Sequence, residues 1–181
     1  MNIKDLQKPI PIENIDFRVQ SINNGGYATI LAYKDARVDM QRLDDVCGAL
    51  GWKREHTRDN KNCIVSVFNE NTGEWVSKED TGTESNTEQQ KGLASDSFKR
   101  ACFNWGIGRE LYDYPIISIK LLPNEFTMVE YQGKKSAKPT FDFKLKEWKW
   151  FTQFNELGKI NYLAVKDNNG VVRFTFGQYN K

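Results

Sequence analysis

Residues 91–109 read KGLASDSFKRACFNWGIGR, and their spacing decides the fold. On a helix, with about 100° per residue, one third of the circumference is apolar and predicts a core face. That face carries Ala94, Phe98, Ala101, Cys102 and Trp105. The opposite side carries Asp96, Lys99, Arg100 and Phe103, with Asp96 spaced to pair with both cations. The sequence therefore predicts a helix with one buried side and one cationic, aromatic side.

Local signals set the ends of two helices. Ser85-Asn86-Thr87-Glu88 has the spacing of a capping box, which starts this helix near residue 87, and Gly106 is placed to end it. An earlier helix is predicted from a cap at Asp35 to about Leu50, ended by Gly51. Its buried stripe comprises Met40, Leu43, Val46, Cys47 and Leu50.

The remaining pattern predicts strands. Segments 52–57, 62–69 and 74–80 form an antiparallel meander, with Cys63, Val65 and Val67 on one face of the middle strand. A further strand is expected at 27–33, and a hairpin at 162–174 with its turn at 167–170. The predicted class is α+β: a curved antiparallel β-sheet with a β-β-β-α core and segregated helices, plus a C-terminal β-hairpin region. We expect an N-terminal arm at 1–20, the core at 21–114 and a β-rich extension packed on the core at 115–181.

Composition indicates a soluble globular protein. Hydrophobic residues make up 39% of the 181 residues and charged residues 28%. No apolar run approaches the roughly 18 residues that span a bilayer, and the N-terminus lacks the apolar core of a signal peptide. The expected location is therefore the cytoplasm, of a bacterial cell or of a phage-infected host, with no membrane partner. Three cysteines and one histidine without metal-ligand spacing favour free thiols, and no metal or cofactor is expected.

The net charge of +2 hides a segregated distribution. Acidic residues dominate 70–88, whereas 133–149 is rich in lysine. Such a chain can present a basic surface to phosphates while it stays near neutral overall. Solvated strand faces and loops explain each cluster, taken alone, at least as well.

Several stretches together resemble the Rad fifty-two/Rad twenty-two family of DNA repair and single-strand annealing proteins, and most of all its phage and bacterial members. They are 91–109, the stretch YKDARVDMQRLDDV at 33–46, Gly51-Trp52, Glu74-Trp75-Val76 and Asp80-Thr81-Gly82. They occur in the family's order and cover about residues 20–114. The resemblance implies a β-β-β-α core that assembles into rings or helical filaments. It also implies that single-stranded DNA lies in a basic groove. A single-strand binding protein is a further candidate partner.

The function that this resemblance implies is non-enzymatic binding and annealing of single-stranded DNA in homologous recombination and repair. The family's groove is lined by a lysine-arginine pair, which corresponds to Lys99 and Arg100, and by an arginine that corresponds to Arg37. Where eukaryotic members carry a further arginine after the pair, this chain has Phe103 and Asn104. The other candidate DNA-binding residues are Phe103, Lys91, Arg109, Lys53, Arg54, Arg58 and Lys61.

Other interpretations stay open. Phe103 can contact a base or sugar beside the two cations, or pack under the C-terminal strands. Asp142-Phe143-Lys144 has the acid-x-lysine spacing of some metal-dependent nucleases, with Asp80 or Glu79 as the second carboxylate. An interaction scaffold with the same fold is a further alternative. RNA binding is disfavoured because no RNP-like aromatic motif is present.

Overall fold

The computed structural model describes residues 2–83 and 89–180, without the side chains of residues 89–91 and Tyr131. Two helices, α1 (Ala36–Cys47) and α2 (Gln89–Trp105), accompany eleven strands in this part of the chain. The strands are β1 (Asp16–Ile22), β2 (Tyr27–Tyr33), β3 (Trp52–Thr57), β4 (Asn62–Asn69), β5 (Glu74–Thr81), β6 (Ile117–Lys120), β7 (Phe126–Tyr131), β8 (Lys134–Pro139), β9 (Lys149–Phe154), β10 (Ile160–Lys166) and β11 (Val172–Gly177). All strand pairings are antiparallel, so the predicted α+β class is confirmed.

The chain divides into two compact units, residues 1–10 with 34–109 and residues 11–33 with 110–181. The domain boundaries expected from the sequence stay a prediction. The first unit contains both helices and a three-stranded sheet with the strand order β3–β4–β5. Neither described helix combines the length and the apolar character that a bilayer-spanning helix requires.

The core of the first unit forms between the sheet and α2, because both elements have an apolar face. Cys63, Val65 and Val67 of β4 are at most 2% exposed, as the alternation of the strand predicts. Phe98 and Cys102 of α2 are fully buried in the same cluster. Leu6 and Leu43 also belong to it, so the segment before β1 contributes a core residue.

The first helix is shorter than the sequence predicts. It begins after the expected cap, where Asp35 accepts a hydrogen bond from the Arg37 N–H at 2.8 Å. It ends at Cys47, and the next residue, Gly48, takes a positive φ of +75° that a glycine adopts without strain. The prediction that Gly51 ends this helix was therefore wrong. Leu50, expected in the buried stripe, lies beyond the helix and is 93% exposed.

The end of the second helix matches its prediction. α2 stops at Trp105, and Gly106 takes φ +94° directly after it. The proposed capping box at 85–88 lies outside the described residues. The strand bounds of the meander are confirmed, with β5 one residue longer than expected.

The second unit consists of strands and short 3-10 helices. Its sheets have the orders β1–β2–β6 and β11–β10–β9, and β7 pairs with β8. The predicted C-terminal hairpin is confirmed, since Lys166 pairs with Val172 across the turn. The strand β1 was not predicted; it pairs with β2 over a bulge between Val19 and Ser21.

A buried charge network ties the C-terminal hairpin to the rest of the second unit. Arg173, whose side chain is 8% exposed, donates to Glu125 Oε2 at 2.7 Å and to Asp167 Oδ2 at 3.1 Å. It also donates to the Lys120 carbonyl, and its guanidinium lies 4.7 Å from the centroid of the Trp148 ring. A planar guanidinium is suited to such simultaneous pairing and stacking.

Replacing Arg173 with Met is expected to destabilise the second unit by about 3–5 kcal/mol, because two carboxylates stay buried without their cation. Hydrogen exchange of the β10 and β11 amides measures this loss, and should accelerate about a hundredfold or more. Lys159→Met, at an exposed lysine directly before β10, is the matched control. Equal exchange in the two variants would show that the network does not hold the hairpin.

Candidate nucleic-acid interface

The outward side of α2 presents two neighbouring cations, because the buried side fixes the rotation of the helix. Lys99 is half-buried, and its ammonium makes no hydrogen bond or ion pair with any residue that the structure describes. Arg100 is 42% exposed and lies 3.3 Å from a carboxylate oxygen of Asp80 on β5. Among the described residues, therefore, no acid bonds to Lys99, whereas Asp80 partly neutralises Arg100.

The predicted pairing of Asp96 with these cations was wrong. Asp96 instead accepts hydrogen bonds from the backbone N–H and the hydroxyl of Thr83, at 2.8 and 3.2 Å. The backbone and hydroxyl donors of Thr83 bind this carboxylate in preference to Lys99 and Arg100, because those long side chains would lose rotamer freedom on pairing. As a result, Asp96 does not form an ion pair with Lys99.

The N-terminus of α1 brings a third cation to the same region. Arg37 donates to Asp35 through its backbone N–H and through Nε, at 2.8 and 2.9 Å. These hydrogen bonds hold the pKa of Asp35 below its usual value, and the positive charges of Arg37 and Lys99 lower it further. The structure thus places Arg37 and Lys99 around one carboxylate, and Arg37 is largely exposed.

A buried ion pair lies beneath Phe103. Lys34 and Asp39 are at most 2% exposed and bond to each other. The Lys34 ammonium also lies 4.5 Å from the centroid of the Phe103 ring. Burial raises the pKa of Asp39 to about 6, although the Lys34 charge opposes the shift. Phe103 is therefore half-buried on a cation rather than fully exposed.

The basic residues of β3 point to opposite sides of the sheet. The Arg54 guanidinium lies 4.8 Å from the centroid of the Phe98 ring, on the face that α2 covers. Lys53 is on the other face, with its ammonium 4.4 Å from the centroid of the Trp75 ring. Lys53 therefore does not share a surface with the α2 cations, and Trp75 is 40% exposed beside it.

The turn between β3 and β4 lies against α2 and carries two further cations. Arg58 and Lys61 are exposed at a turn in which Arg58, Asp59 and Asn60 have positive φ. The buried hydroxyl of Ser97 on α2 donates to the Asn60 carbonyl at 3.0 Å, which fixes this turn against the helix.

At the other end of α2, Arg109 donates to the carbonyl of Phe103 at 2.8 Å and to that of Asn104 at 3.3 Å. Arg109 thereby adds hydrogen bonds to carbonyls of the last helical turn, where the Phe103 carbonyl also accepts from the Gly106 N–H, while it stays exposed. Lys91 lies in the first turn of the helix, and its side chain is outside the described residues. Lys78, which the sequence did not single out, donates to the Asn104 carbonyl at 2.7 Å.

The carboxylates of the nuclease alternative have protein partners in the structure. Asp80 accepts from Arg100 and from Asn104, the latter at 3.3 Å. Asp142 accepts from Asn124 at 3.2 Å, and Glu79 accepts from Asn62 at 2.6 Å. Each of the three carboxylates therefore already accepts a hydrogen bond from another side chain of the protein.

Two proteins of known name are similar to this chain. The single-stranded DNA-binding protein DdrA of Deinococcus radiodurans is 35% identical over 115 residues, which is 62% of this chain and 55% of that protein. The protein of the same name from Deinococcus deserti is 36% identical over 115 residues, 62% of this chain and 57% of its own length. The chain thus spans about half the length of these relatives. No protein-family model matches the chain.

The buried ion pair beneath Phe103 can be tested by removing one or both charges. Asp39→Ala is expected to destabilise the first unit by about 3–5 kcal/mol, because Lys34 stays buried without its counter-ion. Lys34→Met/Asp39→Leu should recover most of this loss, since it removes both charges and keeps the volume. Hydrogen exchange of the α1 amides compares the two variants. A double variant as unstable as the single one would assign the loss to packing.

Proposed function

We propose that the chain is a non-enzymatic protein that binds and anneals single-stranded DNA in recombination and repair. Its DNA-binding surface is the α2 side of the first unit, with Lys99, Arg100 and Arg37 at its centre. The observation that carries the proposal is the pair of outward cations on α2, of which Lys99 has no partner among the described residues and, like Arg37, acts on the Asp35 carboxylate. The similarity to proteins named for single-stranded DNA binding supports the choice of ligand.

The arrangement fits contact with the DNA backbone rather than with bases. Lysine and arginine neutralise phosphates and release the counter-ions that phosphates hold, so binding weakens as salt rises. Such contacts leave the sequence of the DNA unread. Specificity in annealing then comes from base pairing between the two strands, while the protein lowers the repulsion between them.

Rigid placement of these cations helps the grip. Lys99 and Arg100 project from a helix whose opposite side is locked into the core, and Arg58 and Lys61 lie on a turn fixed by Ser97. The backbone that carries these cations therefore needs no ordering when a phosphate binds, and only their side chains lose conformational freedom. The family resemblance implies that copies of the chain assemble into a homo-oligomeric ring. In such a ring the weak contacts of each subunit with one DNA strand would combine into strong overall binding.

The first test is annealing of two complementary labelled oligonucleotides without magnesium, together with single-strand binding over a range of salt. Lys99→Ala/Arg100→Ala is expected to lose annealing and to reduce the log–log salt slope of binding by about 1.4, at roughly 0.7 per phosphate contact. Lys134→Ala/Lys135→Ala, at two exposed lysines of β8, is the matched control. If the wild-type protein neither binds nor anneals single strands, the proposed function is wrong and the interaction scaffold is the better interpretation.

A gain of binding tests the same surface in the opposite direction. Asp80→Asn removes the carboxylate that neutralises Arg100, and should raise the affinity for single strands by up to about fivefold. Asp142→Asn, which removes an exposed acid of the second unit, is the control for net charge. Equal gains in both variants would mean that overall charge, not the Arg100 site, controls binding.

A further inference from the structure

One face of the β9–β10–β11 sheet combines lysines and aromatic rings without any acid. The register of the strands places three cross-strand rows on this face, and it is the outward one, because the alternate rows bury Leu163 and Val165 completely. We call it the C-terminal platform. Its rows are Gln153–Tyr162–Gly177, Phe151–Ala164–Thr175 and Lys149–Lys166–Val172.

Two lysines of the platform lie directly opposite each other. Lys149 pairs in register with Lys166, and both side chains are exposed. Like charges in this position destabilise a sheet. Neither ammonium makes a hydrogen bond or an ion pair with a described residue, and the neighbouring Glu147 instead accepts from Asn168 at 2.6 Å. The two lysines therefore do not stabilise the fold, but together they can bind an anionic ligand.

Aromatic rings lie beside these charges. Phe151 is 48% exposed and stands two residues from Lys149 on the same face. Tyr179 is 64% exposed, and its ring meets that of Tyr162 edge-on at 5.5 Å. Gln153 holds the segment that carries Tyr179, because its amide donates to the Asn180 carbonyl and accepts from the Asn180 N–H, at 2.7 and 3.0 Å.

We propose that the C-terminal platform is a second binding site for single-stranded DNA, on which bases stack against Phe151 and Tyr179 while Lys149 and Lys166 hold phosphates. Exposed rings beside cations bind single strands of any sequence, since every base has a π face. The choice of ligand rests on the proposed function, but the site itself is distinct from the α2 surface. An acidic protein segment would use the lysines and leave the rings without a role.

The two parts of the platform should respond differently to mutation. Lys149→Ala/Lys166→Ala is expected to reduce the salt slope of oligo(dT) binding by about 1.4. Phe151→Leu keeps apolar cover over Ala164 but removes the π face; it should weaken binding about fivefold or more at an unchanged slope. Phe151→Tyr should restore the affinity. Phe141→Leu, at a ring that is 87% exposed in the same unit, is the matched control.

Photocrosslinking of an oligonucleotide with 5-iodouracil, followed by peptide mapping, locates the contact directly. We expect one crosslinked peptide to contain Phe151, Tyr162 or Tyr179. Crosslinks confined to the first unit, with normal oligo(dT) binding by Phe151→Leu, would overturn the platform and leave the proposed function intact. Loss of binding in the platform variants but not in Lys99→Ala/Arg100→Ala would support the platform and overturn the α2 surface.

Two further outcomes complete the test. A wild-type protein that does not bind oligo(dT) at all would overturn both sites as DNA-binding surfaces. The lysine variants are also titrated with polyglutamate. If they lose polyglutamate binding but bind oligo(dT) normally, the platform belongs to an acidic protein partner instead.

Discussion

The packing of α2 on β4 and β5 is the constraint on which the first unit depends. Phe98, Ala101 and Cys102 are fully buried against the sheet, so the helix cannot rotate without exposing one of them. The Trp105 indole donates to the Val65 carbonyl at 3.1 Å, which also fixes the position of the helix along its axis. The outward direction of Lys99 and Arg100 follows from these two restraints, and the cations add little to the fold themselves.

Local patterns were sufficient to predict the elements that this packing uses. The alternation of Cys63, Val65 and Val67 predicted the middle strand of the meander, because a periodic pattern is set within a few residues. They failed at Leu50, because either of two nearby glycines could end the helix and the structure ends it before Gly48. They also missed β1, whose pairing with β2 depends on partners that no local pattern specifies.

Charged groups were harder to place than apolar ones. Helical spacing predicted that Asp96 pairs with Lys99 and Arg100, but Thr83 and Asp80 supplied competing partners from outside the helix. The neighbours Lys53 and Arg54 occupy opposite faces of one sheet, which follows from strand alternation once β3 is accepted as a strand. Arg42 is a further case, since it donates to the carbonyls of Asp5, Lys8 and Pro9, more than thirty residues away.

The buried Lys34–Asp39 pair links the fold to the charge of the α2 surface. Lys34 carries a cation beneath Phe103, yet Asp39 cancels it while the carboxylate is ionised, so near neutral pH the field at the surface comes from Lys99, Arg100 and Arg37. Because burial raises the pKa of Asp39 from 3.8 to about 6, the folded protein holds a proton there that the unfolded chain releases between these values. The contribution of Asp39 to stability therefore falls as pH rises from about 4 to 6. Below about pH 6 Asp39 no longer cancels the Lys34 charge, and the α2 surface becomes more positive.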